Sequence, residues 1–178
     1  MPAALLVIDA QPPFLAAVAG GDQVLRRCRL AASATRLVGV PVLFTEQVPA
    51  KLGGTEPGLL AAAGEGAPVF AKDAFSALAA PGLLDSLRDL GVDHLLLAGV
   101  EGPICVHQTA VQALAEGFGV TLLSDAVGAR RPEDQAVVLA ALRHAGAHVL
   151  PVETVFYALV GGAGHPQFKA FTALVKSA

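Results

Sequence analysis

Short apolar runs alternate with longer segments whose apolar positions recur at helical spacing, from one end of the chain to the other. "AALLVID" (3–9), "PVLFTE" (41–46), "PVFAK" (68–72), "HLLLAGV" (94–100), "GVTLLSD" (119–125) and "AHVLPV" (147–152) read as six buried strands. Between them, "QVLRRCRLAASATRLVGV" (23–40), "GLLDSLRDLG" (82–91), "ICVHQTAVQALAEG" (104–117) and "RPEDQAVVLAALRHAG" (131–146) carry the 3.6-residue period, and "HPQFKAFTALVKSA" (165–178) closes the chain as a helix. Strand–helix alternation of this kind predicts an α/β fold, a three-layer α/β/α arrangement around a six-stranded parallel sheet. The stretch "QVPAKLGGTEPGLLAAAGEGA" (47–67) is punctuated by Gly and Pro and predicts a loop over one face. No linker or repeat interrupts the pattern, so residues 1–178 are read as one domain.

Composition narrows the function. The chain is 54% hydrophobic and only 15% charged, which fits a sheet covered on both faces, with further apolar surface buried in a homo-oligomer. No apolar run approaches the ~18 residues that a membrane helix needs. A net charge of −3 offers no electrostatic footprint for nucleic acid. Two cysteines make no disulfide framework and point to a reducing, cytoplasmic setting. The five histidines form no metal constellation, because Gly146 separates His144 from His148 and His107 points away from Cys105 on a helix.

In an open parallel sheet the ligand crevice lies beyond the carboxyl ends of the strands. Asp9 ends the first strand, Lys72 ends the third, and Cys105 follows the fourth in what reads as the first turn of a helix opened by Gly102 and Pro103. An acid, a base and a nucleophile thus converge on one edge. The helix N-terminus and Lys72 favour a thiolate, whereas Asp9 opposes it; at ~4 Å and an effective dielectric near 20 each pair is worth about 4 kcal/mol. The two side chains nearly cancel, which assigns Asp9 as the base that takes the thiol proton and Lys72 as the group that makes its charge tolerable. Backbone N–H groups at the turn are placed to hold an oxyanion.

These residues, in "LLVIDAQ", "AKDAFSAL" and "AGVEGPICVHQTAVQALAEG", resemble the isochorismatase-like cysteine hydrolase superfamily over nearly the whole chain. "TEQVPAKLGGTEPG" and "GHPQFKAFTALVKSA" are similar to its isochorismatase domain-containing subgroup. The resemblance implies an Asp9–Lys72–Cys105 triad, a covalent acyl-type intermediate, a cis peptide between Val100 and Glu101, and an oxyanion hole made of the Glu101 and Cys105 amides. It also implies hydrolysis of a small amide or related C–N bond. Members commonly have threonine directly after the position of Glu101; this chain has Gly102 and Pro103 instead. The nicotinamidase branch binds a metal through an aspartate and two histidines, and the corresponding loop here has no histidine, so neither a metal nor another cofactor is expected.

Gln11, Phe14, Gln47 and Phe75 are candidates for the substrate pocket, although Gln11 equally fits a local turn and the two phenylalanines equally fit plain core. Cys28 reads as packing. Two rivals stand beside the hydrolase: an idle member of the fold kept as a binding or scaffold protein, and a nucleotide binder. The latter lacks its glycine fingerprint, since "GGAGHP" follows no strand.

Overall fold

The computed structural model describes residues 2–177, so Met1 and Ala178, the latter the last residue of the expected closing helix, lie outside the described residues. The strands are β1 (Ala3–Ile8), β2 (Val42–Gln47), β3 (Val69–Lys72), β4 (His94–Val100), β5 (Gly119–Gly128) and β6 (His148–Leu150). The helices are α1 (Pro12–Ala17), α2 (Gly21–Val38), α3 (Pro49–Leu52), α4 (Pro57–Ala63), α5 (Leu83–Asp89), α6 (His107–Ala115), α7 (Pro132–His144), α8 (Val152–Val160) and α9 (Phe168–Ser177). The sheet order is β3-β2-β1-β4-β5-β6, with every pairing parallel. The strand order reverses between β1 and β4, and the carboxyl ends there are where open α/β sheets bind ligands.

The two-residue period of the strands divides the core. On β1, Leu5 and Val7 face one apolar cluster, while Ala4, Leu6 and Ile8 face the other. On β4, Leu96, Ala98 and Val100 join the first cluster and Leu95 and Leu97 the second. Both faces are therefore covered, as continuous apolar strands require. Side chains of α1, α2, α4, α8 and α9 fill the first cluster, and those of α5, α6 and α7 fill the second.

Several elements differ from the sequence expectation. Residues 47–67 contain α3 and α4, each with Pro at its first turn; Glu56 starts α4 by accepting the Leu59 N–H at 2.7 Å. Only His148–Leu150 of the predicted sixth strand is extended. The next apolar run becomes α8, whose Val152 N–H is held by Asp125 Oδ1 at 2.8 Å. That aspartate lies where β5 bulges against β4, between the pairs Leu97–Leu122 and Gly99–Val127. Such a bulge re-aims a strand end without breaking the sheet.

Gly99 marks the tightest approach of β4 to β1. Its φ is 109°, and a Cβ there would lie 2.0 Å from the Ile8 carbonyl oxygen, which is backbone and has nowhere to go. Gly99→Ala should cost about 3 kcal/mol in urea-denaturation stability. A loss below ~1 kcal/mol would show that the β1–β4 contact relaxes freely.

Candidate active site

Asp9 is the first residue after β1 and is completely buried. Its φ of 50° turns the chain out of the strand, a conformation that Asp tolerates better than most side chains. The backbone is pinned on both sides: Asp9 N–H donates to the Thr45 carbonyl at 3.0 Å, and Gln11 N–H donates to the Asp9 carbonyl at 2.7 Å. The carboxylate accepts from Thr45 Oγ1 at 2.9 Å and from Lys72 Nζ at 2.6 Å.

Lys72, at the end of β3, donates also to Gln47 Oε1 at 2.6 Å and to the carbonyls of Ala74 and Phe75 at 3.1 Å each. Four acceptors around three ammonium hydrogens leave no donor spare. The side chains of the Asp9–Lys72 pair have no exposure at all. Burial of this kind is tolerated only where hydrogen bonds satisfy both ions, as they do here.

Cys105 lies in a single π-helical turn, Gly102–Val106, that precedes α6. The sequence expectation of an ordinary first α-helical turn is corrected: N–H groups of Ile104 and Val106 both return to the Glu101 carbonyl at 3.1 Å, widening the turn. Such widened turns recur at functional sites. Thr109 fastens it, donating from Oγ1 to the Cys105 carbonyl at 2.7 Å and accepting the Ala77 N–H at 2.8 Å. It thereby ties the Cys105 turn to the segment that follows Lys72. The Val100–Glu101 peptide bond is cis.

Burial, and after it the negative charge of Asp9, pushes the Cys105 thiol up from 9.0 to about 12; Lys72 and the Glu101 backbone N–H pull the other way. The sequence had suggested that the helix terminus and Lys72 would raise the thiolate fraction. The balance runs in the opposite direction because the site is dry and Lys72 is already committed to other acceptors. At neutral pH the resting residue is therefore a thiol and not a thiolate.

Above Cys105 opens a cavity of about 320 Å3, walled by Phe14, Val18, Gln47, Phe75, Val100, Glu101, Ile104 and Arg130 among others. Three of the four expected pocket residues, Phe14, Gln47 and Phe75, line it. Gln11 does not: it lies buried behind the wall, donating to the carbonyls of Gln47 and Gly53 at 3.1 and 2.6 Å and accepting the Gln47 N–H at 2.8 Å. It positions Gln47, which in turn holds Lys72. Sequence reasoning missed Thr45 and Arg130, which reach the site from distant segments, and also Thr109, whose spacing of four residues from Cys105 was the available signal. Among the described residues no group of three or more His, Cys, Asp or Glu side chains could hold a metal ion.

Removing the Asp9 charge should lower the thiol pKa, because the largest charge effect opposing ionisation disappears while Lys72 stays. Asp9→Asn should therefore alkylate faster with iodoacetamide at pH 8, by about tenfold for each pKa unit gained. Unchanged or slower alkylation in the folded variant would break the electrostatic coupling of Asp9 to the sulfur.

Comparison with known proteins agrees with this geometry. Residues 3–154 match the isochorismatase domain family. Isochorismatase domain-containing protein 2 of Pongo abelii is 37% identical over 175 residues, spanning 97% of this chain and 82% of that one. A Caenorhabditis elegans structure described as MAR1 ribonuclease superposes with a TM-score of 0.92 at 33% identity, covering 98% of this chain and 89% of that one. Two more distant structures share the fold. YcaC from Pseudomonas aeruginosa, described with covalent acrylamide, has a TM-score of 0.81 at 24% identity, covering 99% of this chain and 94% of that one. YcaC from Escherichia coli, described as an octameric hydrolase of unknown specificity, has a TM-score of 0.79 at 20% identity, covering 99% and 93%. The chain belongs to the isochorismatase family and has the fold of its hydrolases.

Proposed function

We propose that the protein hydrolyses a small amide or related C–N bond through a covalent intermediate on Cys105, with Asp9 and Lys72 completing the triad. The observation that carries this reading is a thiol at the floor of a small cavity, backed by a carboxylate whose counter-ion is fully buried. Cys105 Sγ attacks the substrate carbonyl as Asp9 takes the thiol proton, and the backbone N–H groups of Glu101 and Cys105 hold the oxyanion. Collapse breaks the C–N bond, Asp9 returns the proton to the leaving nitrogen, and a thioester remains. Water then attacks the thioester, giving a carboxylic acid and restoring the thiol. Lys72 neither gives nor takes a proton; it pairs with Asp9 and keeps it oriented between steps.

The whole chain acts as one hydrolase domain in this proposal, without a metal or other cofactor. It works in a reducing, cytoplasmic compartment, where both free cysteines, Cys28 and Cys105, stay reduced. Among the described residues no helix is long and apolar enough to cross a membrane. Exposed apolar side chains such as Val137 and Leu159 favour a homo-oligomer, in keeping with the octamer described for E. coli YcaC. Because the C. elegans neighbour is described as a ribonuclease, RNA is the substrate to weigh against a small amide. A cavity of 320 Å3 with largely apolar walls, in a chain of net charge −3, favours the small molecule.

A panel of small amides and ureides, with an RNA arm, tests the proposal. Wild type should turn over a subset of the amides and show an acyl adduct by intact mass, and Cys105→Ala should lose ~10³-fold or more in kcat/KM. Equal turnover by the variant, RNA cleavage without amide cleavage, or ligand binding with no turnover would each overturn it.

A further inference from the structure

We infer that the outward face of α7, extended by α6, is the contact between two copies of this chain, paired about a twofold axis with their α7 helices antiparallel. The inference does not depend on the hydrolase reading. It names the face behind the homo-oligomer proposed there.

α6 and α7 pack side by side over the second apolar cluster. A helix that covers a sheet normally buries one stripe and gives water a polar one. α7 does not. Of its residues only Leu142 is buried, while Ala136, Val137, Ala140 and Ala141 are exposed. Val137, at 69%, is the most exposed large apolar side chain among the described residues. On α6, Val111 is 46% exposed, and Ala115 is exposed one turn later.

The charges on α7 say what covers this face. At about 3.6 residues per turn, Glu133, Val137, Ala140 and His144 fall on one line along the helix. Glu133 lies in the first turn, and Arg143 and His144 lie in the last. None of the three enters an ion pair among the described residues, whereas Asp134 is held by Arg131. Glu133 and His144 of one chain stand roughly 16 Å apart along the axis, too far to pair with each other. A second copy laid antiparallel brings its own basic end to Glu133 and its own Glu133 to the basic end here. The valine and the alanines then pack between the charges, and the small side chains let the helices approach closely. Contacts about a twofold axis are self-complementary in this way. The helix dipole accounts for an acid at the start and bases at the end, but not for the apolar line between them.

The other exposed apolar patch, Leu150 on β6 with Tyr157 and Leu159 on α8, lacks this pattern. α8 has no base in its last turn, and its Glu153 is already held by Arg27. Size sets the strength of the α7 contact. α7 is ~20 Å long and packed helices lie ~10 Å apart, so the two helices offer a footprint on the order of 400 Å2 per copy. That is the small end for specific interfaces, which places the dissociation constant in the micromolar range. The partner also rests on the helix that backs the Cys105 turn. Gln135 of α7 donates to the Val127 carbonyl at 2.9 Å, and its Oε1 lies against Gly102.

Sedimentation of the full chain over roughly 1 to 300 μM tests the contact, a range chosen to span micromolar affinity. Wild type should self-associate as concentration rises. Val137→Lys puts a charge at the middle of the face and should weaken association about tenfold or more, with thermal melting of the monomer unchanged because the residue is exposed. Glu133→Lys and His144→Glu should each weaken it severalfold, roughly, and the double variant should restore it. The two positions cannot meet within one chain, so rescue reports a contact between copies. If wild type forms a larger assembly, Val137→Lys should reduce it to a smaller species. A wild type that stays monomeric throughout would overturn the inference. So would association that survives Val137→Lys but is lost in Leu159→Lys, or a double variant that shows no rescue. None of these readouts needs turnover, so failure of the hydrolase reading would leave them intact.

Discussion

Asp9 and Lys72 form an ion pair with no solvent on either side chain, and the rest of the site is arranged around the cost of keeping it there. Losing one member of such a pair typically costs 3–5 kcal/mol, roughly, because the other is stranded in a dry interior. Each remaining valence is therefore met by a specific group: Thr45 on the free carboxylate oxygen, Gln47 and two backbone carbonyls on the ammonium. These contacts gather the ends of β1, β2 and β3 and the turn that follows β3. Gln11 secures Gln47 in turn, so the network extends into the α3 loop through Gly53.

A pair so thoroughly satisfied cannot also activate a cysteine by simple attraction. The thiol is held above its usual range by burial and by Asp9, and Lys72 only moderates this. Chemistry of this design stores no thiolate. In the proposed mechanism the sulfur stays neutral until an electrophile arrives, and a carboxylate then accepts the proton in the same motion. A neutral thiol is also a poor target for stray alkylation or oxidation, because the thiolate is the reactive form.

Much of this was legible in the sequence, for a physical reason. The central strands β1, β2, β4 and β5 are buried and so apolar along most of their length, which makes them announce themselves, and Asp9 stands out at the end of β1. The edge strands β3 and β6 are short and largely exposed, and the second was drawn too long. Where periodicity competed with other signals, the reading failed. The sixth strand was drawn through Val152 and residues 153–160 were assigned no element, whereas Val152, held by Asp125 on β5, begins a helix. "PPFLAA" opens with two prolines, which suit a helix entry as well as a turn, and was passed over. Gly102 and Pro103 signalled a helix, but a widened turn and an α-helix share that signature. Arg130 was illegible because its role comes from Glu101, 29 residues earlier, through pairing of β4 with β5.

The switch in strand order explains why the two halves of the site differ. β1, β2 and β3 run to one side of it and deliver Asp9, Gln47 and Lys72, all buried and mutually saturated. β4 and β5 lie to the other side and lead into Glu101 and Arg130, whose pairing leaves donors facing outward. Cys105 stands at the seam, on the turn that leaves β4. The Gly102–Pro103 departure from the family's common threonine falls on that second side, away from the buried pair. The fold thus separates a half closed to solvent, where losing a partner strands a buried charge, from a half at the rim where substitutions cost little stability.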